Sequence, residues 1–178
     1  MSRHRWKILA ALVWLTIASG IPKAEETYPN WQSCSLDFWG NAKDLDDVRM
    51  GVSVDKLGRN VEVIHELLVD KGPFVAATTI QRVFADCVQE FANGDWSNPS
   101  VPAQAYAGCA WQNAIQLAIL LRLDQGDSIA SVRAIIPAPY HENAEVLNRY
   151  YGESKDKAAL MAVSVTKKCI EAARKAEQ

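Results

Sequence analysis

The chain has 178 residues, with 19 basic and 21 acidic side chains and a formal net charge of −2. That length suits one or two small domains. The mild acidity, without a basic stripe, excludes a typical nucleic-acid-binding protein and argues against attachment to an anionic membrane surface.

The N-terminus has the layout of a secretory signal peptide. Three basic residues within the first seven positions precede an apolar run over 8–18, and the small residues Ala18 and Gly20 follow. The run is too short to span a membrane, which takes ~20 apolar residues. We therefore expect a signal peptide over residues 1–20 with cleavage after Gly20. Cleavage after Ala24, or an uncleaved N-terminal anchor, is the alternative.

Removal of this leader would leave a net charge of −5, because it takes away three basic residues and no acidic one. No second long apolar segment follows, so we expect no stable membrane insertion after cleavage. All four cysteines lie in the remaining chain, and an even count in an exported protein is typical of disulfide bonds. The sequence thus predicts a periplasmic or secreted, disulfide-bonded protein.

Two halves of the chain resemble each other in register. Cys34 and Cys109 are each followed after 17 residues by a glycine, Gly51 or Gly126, and after 19 residues by a serine. Further along, an Ala-Ala pair stands eleven residues before a cysteine in both halves. This similarity predicts an internal duplication. The predicted parts are an N-terminal segment over 21–33, a first unit over 34–92, a connector over 93–108 and a second unit over 109–175.

Each unit is predicted to run helix, turn, helix, loop, helix, so the fold class is all-α. Gly51 and Gly126 would end the first helices, and Ser53 and Ser128 would cap the second ones. In the first unit, the second helix would bury Val54, Leu57, Val61, Ile64 and Leu68. The third helices carry apolar stripes at Ala76, Ile80, Val83, Cys87 and Phe91 and at Ala158, Ala162, Val165, Cys169 and Ala173.

The register of the cysteines bears on their pairing. Cys87 and Cys169 lie on the apolar stripes of their helices, and Cys34 begins a stripe that continues through Phe38, Ala42 and Leu45. If the units are duplicates, their bonds should be duplicates too. We therefore predict Cys34–Cys87 and Cys109–Cys169, one in each unit. The rival pairing, Cys87–Cys109 with Cys34–Cys169, would join the units to each other.

The expected architecture is two tandem three-helix units packed as one helical bundle. The first helix of the second unit contains "IQLAILLRL", which is apolar nearly all round and therefore suits the centre of the bundle. The second unit also carries seven additional residues, which we place in an inserted loop around 137–157, where prolines and a glycine favour irregular structure.

Aromatic residues are the only surface feature that suggests binding. They fall in the connector or the inserted loop, and together with a histidine they are the candidate partner-binding residues: Trp96, Tyr106, Tyr140, His141, Tyr150 and Tyr151. Aromatic side chains on loops often contact partners. The alternative is that they cover a small core.

Familiar catalytic and cofactor motifs are missing from the sequence. It contains no Gly-rich phosphate loop, G-x-S-x-G, H-E-x-x-H or C-x-x-C. We therefore predict no catalytic residue, metal or cofactor. The alternative is an unrecognised envelope hydrolase in which His141, beside Glu142, acts as a general base in the 137–157 loop.

The stretch "VEVIHELLVDKGPFVAATTIQRVFADC", Val61 to Cys87, resembles the C-terminal part of the Tai/Rap-type immunity proteins of type VI secretion. The shared pattern is an apolar helix, a short loop with a proline, and an Ala-rich helix that ends at a cysteine. The resemblance implies a small exported helical protein that binds another protein. Our leading hypothesis is a non-catalytic protein-binding module of the inhibitor or immunity type, with a structural or stress-related envelope protein as a further alternative.

Overall fold

Seven α-helices and two short 3-10 helices make up the part of the chain that the computed structural model describes, residues 31–57, 61–92 and 101–177. The expected leader and Trp96 lie outside these ranges. The α-helices are α1 (Trp31–Arg49), α2 (Val61–Lys71), α3 (Pro73–Ala92), α4 (Val101–Asp124), α5 (Ile129–Ile135), α6 (His141–Glu153) and α7 (Lys155–Ala176). The 3-10 helices are Val54–Lys56 and Ala138–Tyr140.

The helices pack as one bundle, as the sequence predicts. Helix α4 contacts α5, α6 and α7 from its own half and also α1 and α3 from the first half. Its apolar side chains Ile119 and Leu120 are fully buried. The α1 stripe is buried as expected, since Cys34, Phe38, Ala42 and Leu45 are each at most 1% exposed. Burial of these apolar side chains is the main force that holds the two halves together.

Both predicted disulfides are present. Cys34–Cys87 joins α1 to α3 with its Cα atoms 5.9 Å apart, and Cys109–Cys169 joins α4 to α7 at 5.7 Å. Each bond therefore links the first long helix of a half to its last long helix. The rival pairing between the halves is excluded, because these two bonds use all four cysteines.

The ends of α1 and α4 have the same hydrogen-bonded geometry. Gly51 and Gly126 both take the left-handed conformation, with φ of 81° and 89°. In each case the glycine N–H donates to the carbonyl three residues back, and the next N–H donates to the carbonyl five residues back. This is the Schellman motif, which closes a helix at glycine. The predicted helix stops are confirmed, whereas the duplication itself stays a prediction.

The expected continuous second helix of the first half is wrong. The chain forms only the 3-10 helix Val54–Lys56, and Leu57 then takes an extended conformation with ψ of 177°. Ser53 makes no capping hydrogen bond, and its hydroxyl donates to the Asp55 carboxylate. The cap predicted at Ser128 is confirmed, since its Oγ accepts from the Ser131 N–H and begins α5.

The predicted inserted loop over 137–157 is largely a helix. Ala144, Leu147 and Tyr151 recur at the spacing of one helical face, and that face of α6 packs on the core. Tyr140, at the end of the preceding 3-10 helix, packs on the core as well. Pro137 and Pro139 favoured a loop prediction, but both lie before position 141, where the helix begins, and therefore do not interrupt it. The second half therefore contains four helices, and α4 begins eight residues before Cys109 instead of at it.

A seam of buried amides and hydroxyls runs through the centre of the bundle. The Asn113 side chain on α4 donates to the backbone carbonyl of Gln81 on α3 at 3.0 Å. One turn along α4, Gln116 accepts from the Thr166 hydroxyl of α7 at 3.2 Å. Buried polar groups of this kind require specific partners, so they fix the rotation of α4 against its neighbours.

We expect Gly126→Ala to lower the free energy of unfolding by about 1–2 kcal/mol, because alanine is strained at φ of 89°. Gly108→Ala is the matched control, because Gly108 lies inside α4 and an added Cβ would have open space. There alanine should stabilise by about 0.5–1 kcal/mol. Urea unfolding of both variants measures the two values, and equal effects of the same sign would contradict this account.

Replacement of both cysteines of either disulfide by alanine should lower the free energy of unfolding by about 4 kcal/mol, because each bond closes a loop of similar length. The loops span 53 and 60 residues. Denaturant unfolding of Cys34→Ala/Cys87→Ala and Cys109→Ala/Cys169→Ala should therefore give similar losses. A loss below about 1 kcal/mol for one pair would show that its half is not held by the bond.

Candidate functional site

An apolar groove lies on the surface of the first half, between α1, α2 and α3. Its volume is about 230 Å³. Val63 and Val83 form its walls and are 58% and 53% exposed, while Ile64 and Ile80 form its floor and are 3% and 4% exposed. Leu67, Thr79 and Asn41 complete the lining. The groove thus presents apolar side chains to solvent beside a closed hydrophobic floor.

The turn between α2 and α3 positions two sides of the groove. Gly72 takes φ of 86°, which lets the chain reverse within one residue, and Pro73 begins α3 at a position that suits its fixed φ. The Gly72 carbonyl accepts the Ala76 N–H in the first turn of α3. The Asp156 carboxylate from α7 accepts the Phe74 N–H at 2.9 Å. The Asp156 bond ties the start of α3 to the second half.

The third side of the groove is held by the first disulfide. Cys34–Cys87 ties α1 to α3, and Phe38 of α1 packs against Phe84 of α3 with ring centroids 4.9 Å apart. Asn41, one turn after Phe38, then lines the groove. The groove is therefore formed by three helices whose relative positions are fixed by covalent and apolar contacts.

The assignment of Val83 to the buried stripe of α3 is wrong. Ala76 and Ile80 are buried as predicted, but the burial then continues through Phe84 and Val88. The helix places Phe84 against α1, which turns Val83 outward. The sequence of α2 offered an indication of an exposed apolar surface here. Val63 lies beside the buried Ile64 and extends the apolar surface of α2 beyond one face.

Tyr106 lies in the core and not on the surface. It belongs to α4, is 1% exposed, and its hydroxyl donates to the Glu177 carboxylate at 2.8 Å. Burial and this bond raise the pKa of Tyr106 above its ordinary value. The connector prediction failed here because α4 begins at Val101, which carries Tyr106 into the bundle. Tyr106 is thus unable to contact a partner directly.

Tyr140 and His141 lie at the start of α6, whereas Tyr150 and Tyr151 lie near its end, about 15 Å along the helix. The three tyrosines are half-buried and pack against the core. Tyr151 donates to Asp124 at 2.9 Å, and burial together with this bond raises its pKa. The Tyr150 ring lies 4.9 Å from the Lys157 ammonium. These contacts fit the alternative that the aromatic residues cover the core.

His141 is the first residue of α6, and its Nε2 lies 3.3 Å from the Ile136 carbonyl oxygen. Glu142 beside it is exposed in the first helical turn. The pair lies at a surface helix start and outside the groove, whose lining comes from α1, α2 and α3. An enzymatic role for this pair stays the alternative hypothesis.

A second hollow, of about 310 Å³, lies between α1 and α7. The Trp39 indole N–H donates to the Glu171 carboxylate at 3.0 Å, and the Arg174 guanidinium lies 5.2 Å from the centre of the Trp39 ring. These groups satisfy one another and connect the first half to the last helix. Within the described residues there is no cluster of His, Cys, Asp and Glu side chains that could bind a metal ion.

No helix in residues 31–57, 61–92 and 101–177 has both the length and the apolar character needed to cross a membrane. No protein-family model matches the sequence, and searches of curated proteins and of solved structures give no significant match. The groove is therefore interpreted from its own geometry.

Proposed function

We propose that this chain is an exported, non-catalytic protein-binding module of the inhibitor or immunity type. The observation that carries the proposal is the groove, in which Val63 and Val83 remain more than half exposed beside a buried floor. Contiguous exposed apolar side chains beside a concave floor are a common feature of protein-interaction sites. Scattered single apolar residues would carry no such implication.

The rigidity of the groove supports a binding role. Cys34–Cys87 fixes α1 against α3, and the Gly72 turn fixes α2 against α3. A surface that already has its bound shape loses little conformational entropy on association. Binding energy from apolar contacts is then not spent on ordering the helices.

The expected compartment fits the same proposal. Two disulfides are typical of a protein that folds in an oxidising environment, such as the bacterial periplasm or the extracellular space. The stretch that resembles the immunity proteins, Val61 to Cys87, forms the α2–α3 hairpin that lines most of the groove. A role in protection from a toxic effector is therefore the form of binding that we favour.

Photo-crosslinking in the native host tests the proposal. A photoreactive amino acid placed at Val63 or at Val83 should capture the same partner, because both side chains wall the groove. Placed at Val69 or Ile135, which are 67% and 59% exposed but lie outside the groove, it should not capture that partner.

The purified partner then gives a second measurement. Val83→Asp should weaken the complex by about tenfold or more, since it puts a charge into an apolar contact. The matched control Val69→Asp should leave affinity unchanged, and both variants should keep the parent melting temperature because both sites are exposed. Equal capture from all four positions, or a complex that is insensitive to Val83→Asp, would contradict a docking role for the groove.

A further inference from the structure

The rim of the groove is predominantly acidic. Residues one helical turn from a lining residue share its side of the helix. We call the charged residues at these positions the rim, and five of them carry a carboxylate whereas two carry a cation. The carboxylates are Asp37, Asp44, Glu66, Asp70 and Asp86, and the cations are Lys71 and Arg82.

The rim carboxylates are not neutralised within the described part of the chain. Asp37, Glu66, Asp70 and Asp86 are exposed and form no ion pair with another described residue. Other carboxylates are paired with lysine or arginine, such as Asp46 and Asp47 on α1 and Asp124 and Glu153 in the second half. The electrostatic potential around the groove is therefore negative, and these carboxylates can pair with cationic side chains of a partner.

The first half of the described chain is acidic, whereas the second half is close to neutral. Residues 31–92 contain ten acidic and six basic side chains, whereas residues 101–177 contain eight acidic and nine basic ones. The first half thus has a net charge of −4 and the second half a net charge of +1. The groove lies in the acidic half, which would repel an anionic protein surface or an anionic membrane.

We infer that the groove binds a cationic amphipathic helix of a partner protein, an inference that rests on the proposed docking function. Helix α2, which forms one wall, has 11 residues and is therefore about 16 Å long, enough to lie along three turns of a bound helix. Such a helix places apolar side chains at i, i+3, i+4 and i+7 into the groove. Lysine or arginine side chains beside this row then face the acidic rim.

The charge pattern distinguishes this partner from the other occupants of an apolar groove. A helix with an acidic polar face would place carboxylates against Asp37, Glu66, Asp70 and Asp86. Like charges that face each other across an interface are unfavourable, whereas opposite charges speed association and fix orientation. A neutral apolar segment would gain from the floor and the walls alone and would leave the rim charges unused.

Model peptides test the inference on the chain with both disulfides formed. Three 18-residue peptides are compared by fluorescence anisotropy: one with a leucine face and lysines elsewhere, one with the same face and glutamates, and one with scrambled leucines and lysines. We expect the first to bind at least tenfold more tightly than the other two at low salt, and to weaken as salt screens the rim.

Two variants assign the binding to the groove and its rim. Val83→Asp adds a negative charge to an apolar wall of the groove. If the lysine peptide bound by charge attraction alone, this variant would bind it more tightly. We expect about tenfold weaker binding instead, because apolar contact is lost. Glu66→Lys/Asp70→Lys should weaken the same peptide about tenfold without lowering the melting temperature, because both side chains are exposed. Val69→Asp, outside the groove, is the control and should have little effect.

The outcomes separate this inference from the proposed function. If the glutamate peptide binds as well as the lysine peptide and Val83→Asp abolishes both, the groove docks a helix but the cationic partner is wrong. If Val83→Asp weakens neither peptide, docking at the groove is itself wrong. Sedimentation of the chain alone as a dimer that Val83→Asp dissociates, or Val83-dependent binding to phosphatidylcholine vesicles, would also overturn the inference.

Discussion

The structure depends on the burial of α4, a helix that has no wholly polar face. Its side chains Tyr106, Ile119 and Leu120 are at most 1% exposed, so the helix is stable only when others surround it. Those others come from both halves, because α1 and α3 cover one side while α6 and α7 cover another. The two halves therefore form one bundle, in which Cys34–Cys87 ties α1 to α3 and Cys109–Cys169 ties α4 to α7.

The position of the groove follows from this arrangement. Helix α3 packs against α4 and α7 toward the centre and against α1 and α2 to its sides. Most of its circumference is therefore in contact with other helices. Val83 lies between these contacts and remains exposed. The short helix α2 covers α3 only in part, so a gap stays open between α1, α2 and α3. The groove is therefore formed by packed helices, so its surface is preformed before any partner binds.

The sequence allowed the fold to be predicted where local chemistry decides it. The helix stop at Gly126 and the central place of α4 depend on a glycine and on apolar content, which can be read directly, whereas the disulfide pairs also required the hypothesis that the two halves are duplicates. Tertiary contacts decide the rest. Val83 and Phe84 are adjacent apolar residues, and only the packing of Phe84 on Phe38 determines which of them is exposed. The groove was therefore not predictable from α3 alone.

Native-state hydrogen exchange in low concentrations of urea tests most directly whether the two halves form one unit. The most protected amides of α1 and α3 should converge with those of α4 and α7 on a single free energy of exchange, equal to that of global unfolding. This result would mean that the groove persists as long as the bundle does. Exchange of α1 and α3 through a separate, lower-energy opening, while α4 and α7 stay protected, would contradict it.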